Sequence, residues 1–262
     1  MISAPVVHAF PAQQAVKRNI VAVASGKGGV GKTWLSITLT HALARAGNRT
    51  LLFDGDLGLA NVDVQLGVTP QRDLASVIAG QITLAQATTH HNAGFDIIAG
   101  RSGSGSLATL PATRLITLRG ALQDFAQSYD WAVLDLGAGI ERTVRVLAGC
   151  ATACLVVTTD EPTAITDAYA FIKVSAQERL ADNFQIVVNM AANHRDGERT
   201  YLTLSRACRE FLKLTPKLAG VIRRDDHVKD SIRRQTALLV RHPTCEAACD
   251  VEALALRLIG SL

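Results

Sequence analysis

Residues 26–33 read Gly26-Lys27-Gly28-Gly29-Val30-Gly31-Lys32-Thr33, which matches the pattern G-x-x-x-x-G-K-[ST] in full. An apolar run at 20–25 precedes this stretch, and a segment of helical character follows it to residue 46. In a strand–turn–helix unit of this kind, the glycines let backbone N–H groups turn toward an anion that also faces the helix N-terminus. The sequence therefore predicts a phosphate-binding loop at 26–33.

Three side chains of this loop have predicted chemical roles. Lys32 can reach the β- and γ-phosphates of a nucleotide, and the Thr33 hydroxyl can bind Mg²⁺. Lys27 cannot easily point at the same phosphates as Lys32, because the two ammonium groups repel each other. Two interpretations of Lys27 are open: a solvated surface lysine, or a lysine that reaches a nucleotide on a second subunit and stabilises charge on the transferred phosphoryl group.

Carboxylates follow two other apolar segments. Asp135 ends one of them and precedes the glycine-rich residues 136–139, which is the arrangement of a Walker B carboxylate that holds Mg²⁺. Asp54 ends the other segment and can bind a Mg²⁺-bound water, whereas Asp56 can orient the attacking water. Alternatively, each aspartate is a helix cap or a turn residue.

The rest of the chain alternates short apolar segments with longer helical ones, without a linker or repeat. Strands are predicted at 20–25, 50–54, 95–99, 131–135, 153–159, 184–189 and 218–222, and helices at 32–46, 73–79, 112–127, 140–149, 163–179, 198–212 and 245–260. This alternation predicts an α/β fold with one doubly wound, mostly parallel sheet flanked by helices. We expect a flexible N-terminal arm at 1–19 and one domain at 20–262.

The base of the nucleotide is predicted from a strand end and from an absent motif. Asn189 ends the apolar segment 184–189, where its amide can pair with the edge of adenine. The chain has no N-K-x-D guanine signature. Both observations favour ATP over GTP, and the predicted cofactors are therefore ATP and Mg²⁺.

Composition and charge narrow the classes of protein to which the chain could belong. The 262 residues carry a net charge of +4 in scattered short pairs, which favours a solvated surface over a nucleic-acid patch. No apolar stretch approaches the roughly 18 residues of a membrane span, and residues 1–19 lack the pattern of a secretory signal. We therefore expect a cytoplasmic protein. Inert, packed thiols are expected rather than a zinc site at the five cysteines Cys150, Cys154, Cys208, Cys245 and Cys249.

Several segments together resemble one family. The loop GKGGVGKT resembles the deviant Walker A motif of the MinD/ParA ATPases, and FDGDLGLANVDVQLG at 53–67 resembles the first switch of the MinD branch. DEPTAITDAYAFIK at 160–173, LDLGAGI at 134–140 and VVNM at 187–190 are similar to the flagellar-number regulators FlhG and FleN. The likeness runs from about residue 19 to the C-terminus.

The resemblance implies a MinD-like ATPase that cycles between a monomer and an ATP-bound homodimer and regulates flagellar number and placement. In such a protein Lys27 contacts the nucleotide of the second subunit, and Asp56 positions the hydrolytic water. Asp135 lies near Mg²⁺ in the second switch, and Asn189 holds adenine. A ParA-like ATPase that positions DNA or another cargo is the alternative. A small-molecule enzyme that borrows the fold is a third class.

The partners implied by the resemblance are an FlhF-type GTPase, flagellar switch proteins and a transcriptional activator of flagellar genes. Specific nucleic acid is not expected. The resemblance also implies peripheral contact with the inner face of the cell membrane. An apolar stripe near the C-terminus fits either a bilayer or the sheet, and its scarcity of flanking Lys and Arg favours the sheet. The stripe consists of Val251, Leu254, Ala255, Leu258 and Leu262.

Three segments depart from the family pattern. Arg223-Arg224 stands where members often carry a proline in the segment that contacts the base. Leu136 replaces the small polar residue that is common after the Walker B aspartate. Residues 13–18 bear only a faint likeness to the element with which relatives stimulate FlhF.

Overall fold

The computed structural model describes residues 20–100, 110–178 and 183–261. The predicted arm at 1–19 and the Gly-Ser stretch at 101–106 lie outside these ranges. The strands are β1 (Ile20–Ser25), β2 (Thr50–Gly55), β3 (Thr89–His91), β4 (Phe95–Ile98), β5 (Trp131–Ala138), β6 (Ala153–Thr158), β7 (Phe184–Ala191) and β8 (Lys217–Arg223). They form one sheet in the order β3-β4-β2-β5-β1-β6-β7-β8. Only the β3–β4 pair is antiparallel within the described residues.

Helices connect the strands and cover both faces of the sheet. They are α1 (Lys32–Arg45), α2 (Val62–Leu66), α3 (Leu74–Ile78), α4 (Leu84–Ala87), α5 (Ala112–Ala126), α6 (Arg142–Ala148), α7 (Pro162–Gln177), α8 (His194–Ala207), α9 (Asp226–Arg233), α10 (Leu238–Arg241) and α11 (Glu246–Ser261). A π-helical turn, Cys208–Leu212, continues α8.

Strand β1 shows why the sheet is covered on both faces. It lies between β5 and β6, and its residues alternate between two apolar cores. Ala22 and Ala24 belong to the core that includes side chains of α5, α6, α7 and α8, whereas Val21 and Val23 belong to the core that includes those of α1 and α11. A strand buried on both sides is apolar almost throughout. The predicted α/β fold with a mostly parallel, doubly wound sheet is confirmed.

The parallel arrangement gathers the loops that matter for function. Strands β1, β2, β5, β6, β7 and β8 run in the same direction, so their carboxyl ends meet at one edge of the sheet. In the β2–β5 register, Asp54 lies directly opposite Asp135. Ligands of doubly wound folds bind at this edge.

Several strands continue past the residue at which the sequence prediction ended them. β2 continues past Asp54 to Gly55, and β7 past Asn189 to Ala191. Asp135 does not end its strand, because β5 continues to Ala138. Beyond an irregularity in the β1–β5 ladder, Ser25 pairs with Ala138, and the N–H of Gly139 donates to the Ser25 carbonyl at 2.9 Å. The sequence prediction also missed β3, since its three residues are polar and partly exposed.

Helix α11 packs against the sheet, as the sequence analysis favoured. Val251, Leu254, Ala255 and Leu258 are buried in the core, and Leu262 lies outside the described residues. Leu256, on the other side of the helix, is 63% exposed. In the described part of the chain, no helix is both long enough and apolar enough to cross a membrane.

Leu254→Ala tests this packing. The side chain of Leu254 is 0% exposed, so its truncation should lower the free energy of unfolding by about 2–5 kcal/mol. Denaturant titration measures the change. Leu256→Ala is the matched control on the same helix and should have little effect. Equal losses for the two variants would contradict the packing described here.

Candidate nucleotide site

Two glycines of the 26–33 loop occupy positions that no side chain fits. Gly31 has φ 87°, and a Cβ there would lie 2.5 Å from Nδ2 of Asn189. A Cβ on Gly26 would lie 2.0 Å from the carbonyl oxygen of Asp167 in α7. The loop is therefore held tightly between β7 and α7, with the N-terminus of α1 directly behind it.

Lys32 is the first residue of α1 and is 8% exposed. Burial lowers the pKa of its ammonium group, while the negative charges of Asp135 and Asp56 act in the opposite direction. The lysine therefore lies within electrostatic reach of both carboxylates. This placement brings the predicted phosphate ligand and the predicted acidic residues to one site.

Asp135 is bound to α1 through hydroxyl groups. Ser36 Oγ donates to Asp135 Oδ1 at 2.9 Å, and the Thr33 side chain also forms a hydrogen bond with this carboxyl. Burial raises the pKa of Asp135 to about 6, against the effect of these bonds and of Lys32. Its Oδ2 is buried and has no hydrogen-bond partner among the described residues.

Asp54 organises the segment that follows β2. Its carboxyl accepts hydrogen bonds from the N–H groups of Asp56, Asn61 and Val62, each at 3.2 Å. Burial, followed by the neighbouring Asp135, raises its pKa to about 8. Asp54 thus fixes the path of the chain into α2. Its predicted contact with a Mg²⁺-bound water stays a prediction.

Asp56 joins the segment after β2 to the end of β5. Its Oδ1 accepts from the N–H groups of Gly58 and Leu59, at 3.2 and 2.9 Å. A Cβ on Gly137 would lie 3.3 Å from the same oxygen, so the absence of a side chain at 137 makes room for this carboxylate. The arrangement places Asp56 at the edge where Lys32 and Asp135 lie.

These residues fit a Mg²⁺-bound triphosphate. Mg²⁺ prefers oxygen ligands and usually binds to proteins through one or two carboxylates and a hydroxyl next to phosphates. Thr33 and Asp135 provide such groups, and the unpartnered Oδ2 of Asp135 is a buried acceptor that a hydrated cation would satisfy. Lys32 and the loop N–H groups would supply the positive charge for the phosphates.

Lys27 has partners within its own chain. Its Nζ lies 2.6 Å from Oε2 of Glu161 and donates to Thr163 Oγ1 at 2.8 Å. Neither interpretation from the sequence included this pair. The two partners lie at the N-terminal end of α7, in the segment 160–173 whose resemblance to the family was noted without a role for either residue. The trans contact of Lys27 stays a prediction.

Asn189 lies in the wall of a cavity of about 250 Å³ next to the loop. Its Nδ2 donates to the Val30 carbonyl at 2.8 Å, which ties β7 to the phosphate-binding loop. The next residue, Met190, has φ 57°, a left-handed backbone conformation that is uncommon for non-glycine residues. The cavity is also lined by Gly31, Trp34, Arg223, Arg224, Asp225, Asp226, Val228, Lys229 and Ile232.

The two arginines that replace the family's proline differ in their environment. Arg223 Nε lies 2.9 Å from Oδ2 of Asp250, and its Nη1 lies 2.6 Å from Oε1 of Glu246. These contacts attach the end of β8 to the first turns of α11. Arg224 is exposed at the rim of the cavity. The cavity beside Asn189 is therefore formed without the proline.

The fold and this edge of the sheet define a P-loop ATPase with two lysines in its phosphate-binding loop. Residues 21–238 match the family described as the CobQ/CobB/MinD/ParA nucleotide binding domain. The chain is 38% identical to the antiactivator FleN of Pseudomonas aeruginosa, over 90% of this chain and 84% of that protein. It is 30% identical to the flagellum site-determining protein YlxH of Helicobacter pylori, over 92% and 82% of the two chains.

A solved structure agrees in fold. The septum site-determining protein MinD from Pyrococcus horikoshii, complexed with Mg-ADP, has a TM-score of 0.75 and 23% identity, and the match covers 92% of this chain and 95% of that one. The chain belongs to the CobQ/CobB/MinD/ParA family of nucleotide-binding proteins. The resemblance predicted from the motifs is thereby confirmed at the level of the family.

Lys32→Ala tests the phosphate-binding loop. Loss of the buried ammonium group should weaken Mg-ATP binding at least about 100-fold, since a charge-assisted contact to phosphate is lost in a partly dehydrated site. Calorimetric titration with ATP and Mg²⁺ measures it. Lys213→Ala removes a lysine whose Nζ donates to the Glu210 carbonyl outside this site, and it should bind ATP like the wild type. If Lys32→Ala bound Mg-ATP as tightly as the wild type, the loop at 26–33 would not be the phosphate-binding site.

Asn189→Ala tests the base pocket. The change removes the hydrogen bond to Val30 and the predicted contact with adenine, so affinity for ATP should fall about tenfold. Competition between ATP and GTP measures the selectivity, which should fall as well. Asn193→Ala, which removes the cap of α8, is the control for stability. If the ATP affinity of Asn193→Ala fell as much as that of Asn189→Ala, a role of Asn189 in base recognition would be refuted.

Proposed function

We propose that the protein hydrolyses ATP and that the γ-phosphate controls whether two copies associate. The proposal rests on one observation: four charged residues lie together at one edge of the sheet, namely Lys27, Lys32, Asp56 and Asp135. The loop N–H groups and Lys32 would hold the β- and γ-phosphates. Thr33 and Asp135 would hold Mg²⁺, which offsets phosphate charge when bound.

Asp56 would orient the attacking water. Its carboxylate lies over Gly137 and is fixed by two backbone N–H groups. The described contacts include no ion pair of Asp56, so its negative charge stays available at the nucleotide edge. Phosphoryl transfer depends on positioning more than on proton abstraction. Asp56 therefore contributes chiefly by fixing the water in line with the γ-phosphate.

Lys27 would exchange its partners during the cycle. In the single chain it is paired with Glu161 and Thr163. Both side chains of the ion pair are substantially exposed, at 36% and 63%, and ion pairs of this kind are weak enough to break. Lys27 could therefore leave α7 and contact a nucleotide in a second copy when ATP brings the copies together.

We further propose that this switch regulates flagellar number and placement. Support comes from the identity to FleN of P. aeruginosa and YlxH of H. pylori, which favours this branch over a ParA-like ATPase that moves DNA. An FlhF-type GTPase, flagellar switch proteins and a flagellar transcriptional activator are the proposed partners. The proposed location is the cytoplasm, with peripheral contact at the inner face of the cell membrane.

Asp56→Ala separates binding from hydrolysis. ATP turnover should fall at least about 100-fold because the water loses its orienting group, while ATP-dependent dimers still form. A phosphate-release assay measures turnover, and sedimentation velocity measures the dimer. Asp63→Ala, in the first turn of α2, is the control and should turn over ATP normally. Normal hydrolysis by Asp56→Ala would exclude Asp56 from the mechanism.

Lys27→Ala tests the contact between subunits. It should bind ATP but fail to dimerise, because the cross-subunit charge is lost. Glu161→Gln removes the carboxylate partner in the same chain and leaves the lysine, so this variant should still dimerise. Sedimentation velocity with ATP compares the two. A Lys27→Ala protein that dimerises like the wild type would contradict the trans role.

The cellular proposal is tested by counting flagella in cells that lack the gene. Complementation with the wild-type gene should restore the normal number and position, and complementation with Lys32→Ala should not. Electron microscopy provides the count. If loss of the gene left flagella unchanged, the flagellar role would be refuted even though the ATPase assignment would stand.

A further inference from the structure

We propose that Asp225, His227 and Cys245 form a second metal site, selective for Zn²⁺ or a similar transition-metal ion. The ligand atoms of these three side chains all lie within 4.8 Å of one another. The site is distinct from the Mg²⁺ position at Thr33 and Asp135, since it lies between the start of α9 and the start of α11.

The distances suit a tetrahedral ion after small side-chain rotations. Asp225 Oδ1 lies 2.8 Å from His227 Nδ1, and Cys245 forms a hydrogen bond with Asp225 through its side chain. Donors bound to Zn²⁺ at about 2.0–2.3 Å lie roughly 3.5 Å apart in a tetrahedron. The Asp225–His227 separation is shorter than this value, and all three ligand atoms lie within 4.8 Å of one another, so modest rotations would bring them to it. His227 has a side chain that is 54% exposed, so water can complete the coordination.

The backbone holds two of the donors in place. Asp225 caps α9 by accepting the N–H of His227 at 3.0 Å, and its Oδ2 accepts the N–H of Ala247 in α11 at 3.2 Å. Cys245 directly precedes α11. The carboxylate therefore joins the starts of both helices, and its side chain is only 8% exposed. A metal ion here would cross-link the same two segments.

Charge explains why a cation would change this cluster. The Asp225 carboxylate and a Cys245 thiolate would repel each other unless a cation lay between them. A dication between the two groups would neutralise both. Binding would release the thiol proton of Cys245 to solvent.

The donor types determine which ion fits. A thiolate and an imidazole favour Zn²⁺ or Co²⁺, whereas Mg²⁺ requires oxygen donors. The ring of His242 contacts that of His227 in a tilted arrangement, with centroids 4.3 Å apart, and its Nε2 lies 2.9 Å from Asp230 Oδ2. This contact would limit the rotation of the imidazole ligand.

The site also adjoins the nucleotide. Asp225 lines the cavity next to Asn189, so a metal ion would fix one wall of the base pocket. Cys249, one turn further along α11, is exposed. It provides a matched control because it is a second thiol close to the start of α11. Its exposure differs from the sequence expectation of packed thiols, whereas Cys245 is partly buried against the apolar core.

Titration with Co²⁺ in the presence of excess Mg²⁺ tests the proposal on the full chain. The wild type should bind one Co²⁺ with a thiolate-to-cobalt charge-transfer band in the near ultraviolet, and added Zn²⁺ should abolish the band. Cys245→Ser should lose the band. His227→Gln should weaken Co²⁺ binding by about 100-fold, because loss of a ligand costs at least as much affinity as loss of an outer-shell partner. Cys249→Ser should behave like the wild type.

Circular dichroism and Mg-ATP binding confirm that each variant is folded. Three results would overturn the proposal: no charge-transfer band in the wild type, a band that survives Cys245→Ser, or a band lost equally in Cys249→Ser. None of these readouts depends on ATP turnover, so failure of the metal site leaves the proposed ATPase cycle unaffected, and failure of that cycle leaves the metal site testable.

Discussion

The pairing of β2 with β5 sets the constraint on which the rest of the site depends. Its register places Asp54 opposite Asp135, and the chain after β2 brings Asp56 to the same edge. Burial raises the pKa of Asp54 to about 8 and of Asp135 to about 6, although Lys32 acts against the rise at Asp135. Carboxylates crowded in this way favour a cation. The glycine loop, the hydroxyls on α1 and the surrounding segments all serve to bring Mg²⁺ and phosphate to that edge.

The residues of this edge could be predicted because each type is tied to a local pattern. The complete phosphate-loop motif, lying between a predicted strand and a predicted helix, identified residues 26–33 as a phosphate-binding loop. Apolar segments that end in aspartate identified Asp54 and Asp135. The sequence did not predict how far β5 runs, because the bulge that lets Ser25 pair with Ala138 depends on a neighbouring strand. Tertiary pairing of this kind has no local signal.

The contacts of α7 escaped sequence reasoning for a related reason. Lys27 and Glu161 are 134 residues apart, and nothing in the local pattern of either pairs them. The segment 160–173 resembled the family as a block of sequence, but only the fold shows that it lies against Gly26 and pairs with Lys27. The same limit applies to Asp225 and Cys245, whose proximity depends on two helices that begin at one place. Long-range proximity is what the sequence alone leaves open.

In the proposed cycle a triphosphate at this edge, and not a diphosphate, holds two copies together. Light scattering of the wild-type protein with Mg-ADP and with Mg-ATP measures it directly, at one protein concentration and before the ATP is consumed. We expect the mass of one chain with ADP and of two chains with ATP. The same mass in both nucleotides would contradict it.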